Sequence, residues 1–85
     1  MKSGPKSREM FMRGKESIPG GVSSNFRYWG DDSTLVVKRA KGAYLWDQDD
    51  NRYVDYRLGF GPVVLGHARD EINAYVSEAI GMGTT

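Results

Sequence analysis

The stretch Ala43-Tyr44-Leu45-Trp46-Asp47-Gln48-Asp49-Asp50-Asn51-Arg52-Tyr53-Val54-Asp55-Tyr56 decides the fold. Two alternating segments flank a polar run. From Ala43 to Asp47, Tyr44 and Trp46 fall on one side, Ala43 and Leu45 on the other. From Arg52 to Tyr56, Tyr53 and Asp55 oppose Val54 and Tyr56. A period of two marks a half-buried strand, and an Asp- and Asn-rich run between two such strands is turn chemistry. Upstream, Leu35 to Arg39 is β-branched at its centre, and Lys41-Gly42 marks a turn after it. The pattern predicts a three-stranded antiparallel meander over 35–56, held by Tyr44, Trp46 and Tyr53 as cross-strand aromatic pairs.

The same turn opens like a calcium loop, Asp47-x-Asp49-x-Asn51. The positions where that motif needs a glycine and a closing acid hold Arg52 and Leu58, so a hairpin turn is the expectation.

Working outward toward the N-terminus, residues 1–4 read as a loose end. Pro5 suits a first helical turn, and 6–17 sets Met10, Phe11 and Met12 among charges. A helix this short is unstable alone in water. It is either a frayed basic tail or a helix docked on something outside the chain. Ile18-Pro19-Gly20-Gly21-Val22 ends it, because Pro19 biases Ile18 away from helix and the glycines allow positive φ. A polar, aromatic loop follows, with Phe26, Arg27, Tyr28 and Trp29 in a row.

Toward the C-terminus, Leu58 to His67 combines glycines and a proline with apolar side chains. Such a loop calls for burial, or for close approach of backbone to a ligand. Beyond it, Ile72, Tyr75, Val76, Ala79 and Ile80 form the stripe of an amphipathic helix over 69–80. Asp70 and Glu71 favour its N-terminal end, and Gly81 and Gly83 stop it. The expected organisation is an N-terminal helical arm (1–17), a polar aromatic loop (18–34), a small antiparallel sheet (35–56), and a glycine-rich loop followed by a helix (57–85).

Composition narrows the function. Eighty-five residues fit at most one small domain, yet 11 are glycine and only 39% are hydrophobic. No cysteine is present, which removes disulfides, thiolate nucleophiles and thiolate metal sites. A net charge of +1 argues against a nucleic-acid footprint, and no apolar run approaches the ~20 residues that span a bilayer. Without an apolar core in the first residues, a cytoplasmic location is the expectation. His67 is the single histidine, so a metal site is not expected; it suits either a general base or a packed loop position. Gly59-Phe60-Gly61 gives GxG without the strand–helix setting of a dinucleotide fold. Arg27 is suited to a forked grip on a carboxylate or phosphate, or else to stacking on Tyr28 or Trp29.

Four ordered segments carry a resemblance: Ile18-Pro19-Gly20-Gly21-Val22-Ser23-Ser24 with Arg27 after it; Lys41-Gly42-Ala43-Tyr44-Leu45-Trp46-Asp47; Asn51-Arg52-Tyr53-Val54-Asp55-Tyr56; and Gly61-Pro62-Val63-Val64-Leu65-Gly66-His67-Ala68. Together they resemble the N-terminal region of class-III pyridoxal-phosphate (PLP) aminotransferases, in the branch of glutamate-1-semialdehyde aminomutase and its relatives. The resemblance implies an α/β chain of PLP fold type I, several times longer than this one, in which 18–34 is the substrate-side loop and 57–85 is the loop and helix leading to the large domain. It also implies a homodimer with active sites at the subunit interface and a small amino substrate that bears a carboxylate. It implies that Arg27 binds that carboxylate and that Phe60 lines the substrate pocket. The aminomutase branch usually carries Ser-Trp-Gly-Pro-Met where this chain has Gly59-Phe60-Gly61-Pro62-Val63, and a proline where it has Asp70; its Asp-Gly-Asn turn is Asp49-Asp50-Asn51 here. The departures widen the expected activity to a related aminotransferase or aminomutase-like enzyme.

PLP chemistry needs a Schiff-base lysine, a carboxylate at the ring nitrogen and a phosphate cradle. In the family all of these lie outside the matching region. Lys2, Lys6, Lys15, Lys38 and Lys41 sit in charged or turn contexts, so no catalytic or cofactor-binding residue is expected in this segment and the isolated chain is expected to be inactive. Two other classes stand beside this reading: a non-catalytic binding or dimerisation module, and a small β-rich nucleic-acid binder using Arg27, Tyr28 and Trp29 for stacking. The second lacks a basic stripe.

Overall fold

The computed structural model describes residues 2–84. Met1 and Thr85, the outer ends of the 1–17 and 57–85 segments, lie outside the described residues. Helix α1 (Pro5–Ser17) leads into two short 3-10 turns, Pro19–Gly21 and Asn25–Arg27. Strands β1 (Val37–Lys41), β2 (Tyr44–Asp47) and β3 (Arg52–Val54) follow, then a 3-10 turn Leu58–Phe60 and helix α2 (Asp70–Ile80). The sheet is an antiparallel meander in the order β1-β2-β3.

The meander forms as the alternation predicts, with a shifted first strand. β1 runs to Lys41 rather than ending at Arg39, because Lys41 pairs with Tyr44 across a two-residue connection, Gly42-Ala43. A bulge between Val37 and Arg39 absorbs the irregular start of the strand. β3 stops at Val54, short of the expected Tyr56. Past it, the Asp55 side chain accepts from the N–H groups of Arg57 and Leu58 and turns the chain away, leaving Tyr56 90% exposed.

The expected aromatic trio is divided between the two faces of the sheet. Tyr44 lies opposite Val54 and Trp46 opposite Arg52, whereas Tyr53 lies opposite Leu45. Directly opposed residues share a face, so Tyr53 belongs to the other side. Arginines cover the Tyr44–Trp46 pair instead: the Arg39 guanidinium carbon sits 3.6 Å from the Trp46 ring centre and that of Arg52 4.5 Å from Tyr44.

On the opposite face, polar chemistry does the work of a core. The Asp47 carboxylate is fully buried and accepts from the N–H groups of Asp49 and Asn51, the Asn51 amide and the Tyr53 hydroxyl. Four donors around one carboxylate satisfy it without water. They fix the β2–β3 turn, which directs Asp49 outward to the first turn of α1. There its two oxygens accept from the N–H groups of Lys6 (2.8 Å) and Ser7 (2.9 Å). α1 begins Gly4-Pro5 with no capping side chain and no acid in its own first turn, so Asp49 supplies both cap and negative charge from 42 residues away.

α1 is not a frayed tail: it docks on the chain through Phe11, while Met10 and Met12 remain exposed. Phe11, 1% exposed, is the one buried hydrophobic side chain among the described residues; its ring lies 6.3 Å from that of Tyr28. Gly21, at φ 74°, lets the turn pass over Phe11, and a Cβ there would strike both Phe11 and Lys15. Residues 2–4 are not loose either. Ser3 is buried, and its N–H and hydroxyl both donate to the Asp32 carbonyl.

α2 is different. It forms where its stripe predicts, but none of its residues is buried; Ile72, Tyr75, Val76 and Ile80 are all exposed. It is tied to the sheet through Lys41, which donates to the Ala68 carbonyl and to Asp70.

Two substitutions test this polar framework. A Cβ on Gly4 would run into the Asp49 carboxylate, so Gly4→Ala should destabilise the fold by about 1–3 kcal/mol, as overpacking does. Tyr53→Phe removes one of the four donors to Asp47 and should cost about 1 kcal/mol, while Asp47→Leu leaves several donors buried and unmet and should cost about 3 kcal/mol or more. Urea denaturation of the three variants measures the order; equal stability of Asp47→Leu and wild type would contradict it.

Candidate substrate-binding site

Two loops meet beside the sheet. One is the polar aromatic loop whose short turn Asn25–Arg27 carries Phe26 and Arg27, capped by the Ser24 hydroxyl, which accepts from the Phe26 N–H. The other is the glycine-rich loop that begins after Asp55. Its turn Leu58–Phe60 holds non-glycine residues in the left-handed region, Leu58 at φ 53° and Phe60 at φ 66°. Side chains disfavour that region, and such strain gathers at functional sites. Gly59 and Gly61, at φ 63° and 115°, make the double reversal feasible.

The result is an aromatic–arginine cluster. Phe60 packs edge-on against Phe26 with ring centres 6.0 Å apart. The Arg27 guanidinium carbon lies 5.8 Å from the Phe60 ring centre. Arg57 stands 4.7 Å from the same ring and 5.0 Å from Trp29, and donates to the Phe26 carbonyl at 3.0 Å. The structure therefore brings together both residues singled out in the sequence, Arg27 and Phe60. The stacking alternative for Arg27 is corrected: its aromatic neighbour is Phe60, and Trp29 is covered by Arg57. Arg57 was missed. Its one signal is position, as the last charged residue before the apolar glycine loop.

Arg27, Arg57 and Phe60 are all exposed, Phe60 by 55%. Neither arginine has a carboxylate partner among the described residues, whereas Lys15, Lys38, Lys41 and Arg69 are each ion-paired. An unpaired guanidinium beside an aromatic wall is suited to binding an anion in a fork. A cleft between α1 and the loop, lined by Lys15, Pro19, Val22, Asn25, Tyr28 and Asp31, is a poorer candidate. Its charges are already spent, since Lys15 and the Tyr28 hydroxyl both donate to Asp31 at 2.9 Å.

His67 is a packed loop histidine. Its backbone exchanges two hydrogen bonds with Gly42, and its Nε2 lies 2.6 Å from Asp55 Oδ2. Asp55 thus anchors both ends of the glycine loop: His67 through one oxygen, the Arg57 and Leu58 N–H groups through the other.

The profile of the class-III aminotransferase family matches residues 26–84, and the chain belongs to that family. It is 42% identical to the glutamate-1-semialdehyde 2,1-aminomutase of Rhodopirellula baltica over 85 residues, covering 98% of this chain and 19% of that protein. A β-phenylalanine aminotransferase from Variovorax paradoxus superposes with a TM-score of 0.84 at 33% identity, over 93% of this chain and 18% of that one. A transaminase solved with PLP bound superposes at 0.85 and 29% identity, over 94% and 19%. The chain spans about a fifth of the length of the curated relatives it matches. The two helices and the antiparallel sheet are the corresponding N-terminal part of an α/β PLP-transaminase fold.

The residues described do not fit PLP by themselves. Lys15, Lys38 and Lys41 are ion-paired, and Lys2 and Lys6 are exposed, so none is desolvated as a Schiff-base lysine needs to be. Neither helix offers a phosphate cradle. The α1 N-terminus is occupied by Asp49, and the first turn of α2 carries Asp70 and Glu71.

The His67 hydrogen bond is the main cause that holds the Asp55 carboxyl below the usual carboxylate range; partial burial opposes it, and the Leu58 and Arg57 N–H groups add to it. A carboxyl lowered in the folded state contributes stability above its unfolded value of about 3.9, and that contribution is lost as pH falls through the folded value. Asp31, Asp49, Asp50 and Asp70 are lowered too, so several groups share the acid limb. His67→Phe should therefore reduce, without abolishing, the fall in stability below about pH 5. Urea midpoints across that range read the slope; a slope unchanged from wild type would contradict the assignment.

Proposed function

We propose that this chain is the substrate-side N-terminal segment of a PLP-dependent class-III aminotransferase or aminomutase. Its substrate is a small amino compound bearing a carboxylate, which Arg27 grips while Phe60 forms pocket wall. The observation that carries the reading is the Arg27 guanidinium, free of any carboxylate partner among the described residues and set against Phe60 inside the region matched to the family. Lysine, ring-nitrogen partner and phosphate cradle belong to the rest of the longer protein, which works as a cytoplasmic homodimer. The segment alone is inactive.

The exposed apolar stripe of α2 supports the same reading, since it needs a covering surface that the large domain provides. The same stripe favours a second reading, a non-catalytic binding or dimerisation module. Substrate kinetics separate the two.

In the longer protein that carries this segment, Arg27→Lys keeps the charge and loses the fork. It should raise KM for a carboxylate-bearing amino donor about tenfold or more and leave PLP retention unchanged. Equal loss of substrate and cofactor binding would contradict the role of Arg27. Absence of any PLP-dependent transamination or amino shift in the wild type would favour the module.

A further inference from the structure

Three of the four non-glycine residues with left-handed backbone among the described residues gather at one loop: Leu58 (φ 53°), Phe60 (φ 66°) and Ala68 (φ 49°). Side chains leave that region unless their surroundings hold them in it. Asp55 and His67 close the segment on which this strain falls. At its start, the N–H groups of Arg57 (2.8 Å) and Leu58 (3.1 Å) donate to Asp55 Oδ1. At its end, His67 Nε2 lies 2.6 Å from Asp55 Oδ2. An ionised carboxylate only accepts, so Nε2 carries the proton of this bond. The Asp55 side chain is 7% exposed and that of His67 23%, so water competes little for it.

The pair acts on the loop rather than on the rest of the fold. α1 and the sheet are joined through Asp47 and Asp49. The His67 backbone keeps its own two hydrogen bonds to Gly42 whatever its side chain does. Gly66, where a Cβ would come within 3.2 Å of the Gly42 backbone, fixes the same end by close packing. The part left free to shift without the side-chain pair is the strained Leu58–Phe60 turn. That turn presents Phe60, which is 55% exposed and meets Phe26 only edge-on.

We propose that Asp55 and His67 are positioning residues of the candidate site. Their side-chain pair keeps the strained turn in place, so that Phe60 stands as a wall beside Arg27 and touches the apolar part of a bound carboxylate. This role rests on the reading of Phe60 as pocket wall, and it adds two residues that themselves touch no substrate.

Butyrate is the probe, titrated calorimetrically into the longer protein that carries this segment. His67→Leu should weaken butyrate binding about fourfold, the equivalent of one methylene group losing its contact, and leave PLP retention unchanged. His67→Gln should bind butyrate like the wild type, because its Nε2 can donate to Asp55 in place of the imidazole. His67→Asn, polar but too short, should behave as His67→Leu and replaces it if the leucine variant does not fold. In a Phe60→Ala background neither should weaken binding further, since the pair acts through that ring. Wild-type affinity in His67→Leu and His67→Asn, beside a weakened Phe60→Ala, would overturn the positioning role alone. So would a loss that adds to that of Phe60→Ala, or one that His67→Gln does not restore. Wild-type affinity in Phe60→Ala, or no butyrate binding by the wild type, would overturn the reading of the site beneath it and the positioning role with it.

Discussion

Asp49 holds this structure together. Its carboxylate closes the open N-terminus of α1 from the far side of the β2–β3 turn, and so joins the helix to the sheet with two charge-assisted hydrogen bonds. Partial burial raises the cost of that charge, but the Ser7 and Lys6 N–H groups outweigh it, and the carboxyl is lowered on balance. The bond matters because little else links these parts. One hydrophobic side chain is buried among the described residues, and the other fully enclosed groups are polar. Where hydrophobic burial is scarce, orientation comes from directional bonds: Asp47 shapes the turn, the turn aims Asp49, and Asp49 sets α1. Gly4 leaves the space in which this occurs.

The anchored body carries the two loops of the candidate site. α1 packs its Phe11 under the Gly20-Gly21 turn, which places the Asn25–Arg27 turn. The sheet ends at Asp55, whose side chain starts the glycine loop and, through His67, fastens its other end beside Gly42. Arg27 and Phe60, 33 positions apart, meet because each loop is rooted in the same polar framework. α2 lies outside it and keeps its apolar stripe exposed. The chain is thus a well-tied layer of helix, loops and sheet with one element, α2, left uncovered, and it matches about a fifth of its relatives' length.

Much of this was legible in the sequence, and the failures have physical causes. Alternation in Tyr44–Asp47 and Arg52–Val54 gives strands because facing within a strand is local. Register between strands is not local, so the sequence could not place Tyr53 on the face away from Tyr44 and Trp46. The early stop of β3 depends on a side-chain bond by Asp55 that alternation does not register. The Asp49 cap was out of reach for a related reason. Helix caps are sought beside the helix, and this one comes from 42 residues away. At the site, Arg27 stood out because it follows a glycine turn and resembles a family position. Arg57 did not, because its importance comes from Phe26, Trp29 and Phe60, which are separated from it in sequence or linked to it by strained backbone.

Native-state hydrogen exchange on the isolated 85-residue chain tests the central claim most directly. If the Asp49 bridge organises the fold, the Lys6 and Ser7 amides exchange as slowly as the β2–β3 ladder amides, while the α2 amides exchange close to the unprotected rate. Fast exchange at Lys6 and Ser7 beside a protected sheet, or protection of α2 equal to that of α1, would contradict it.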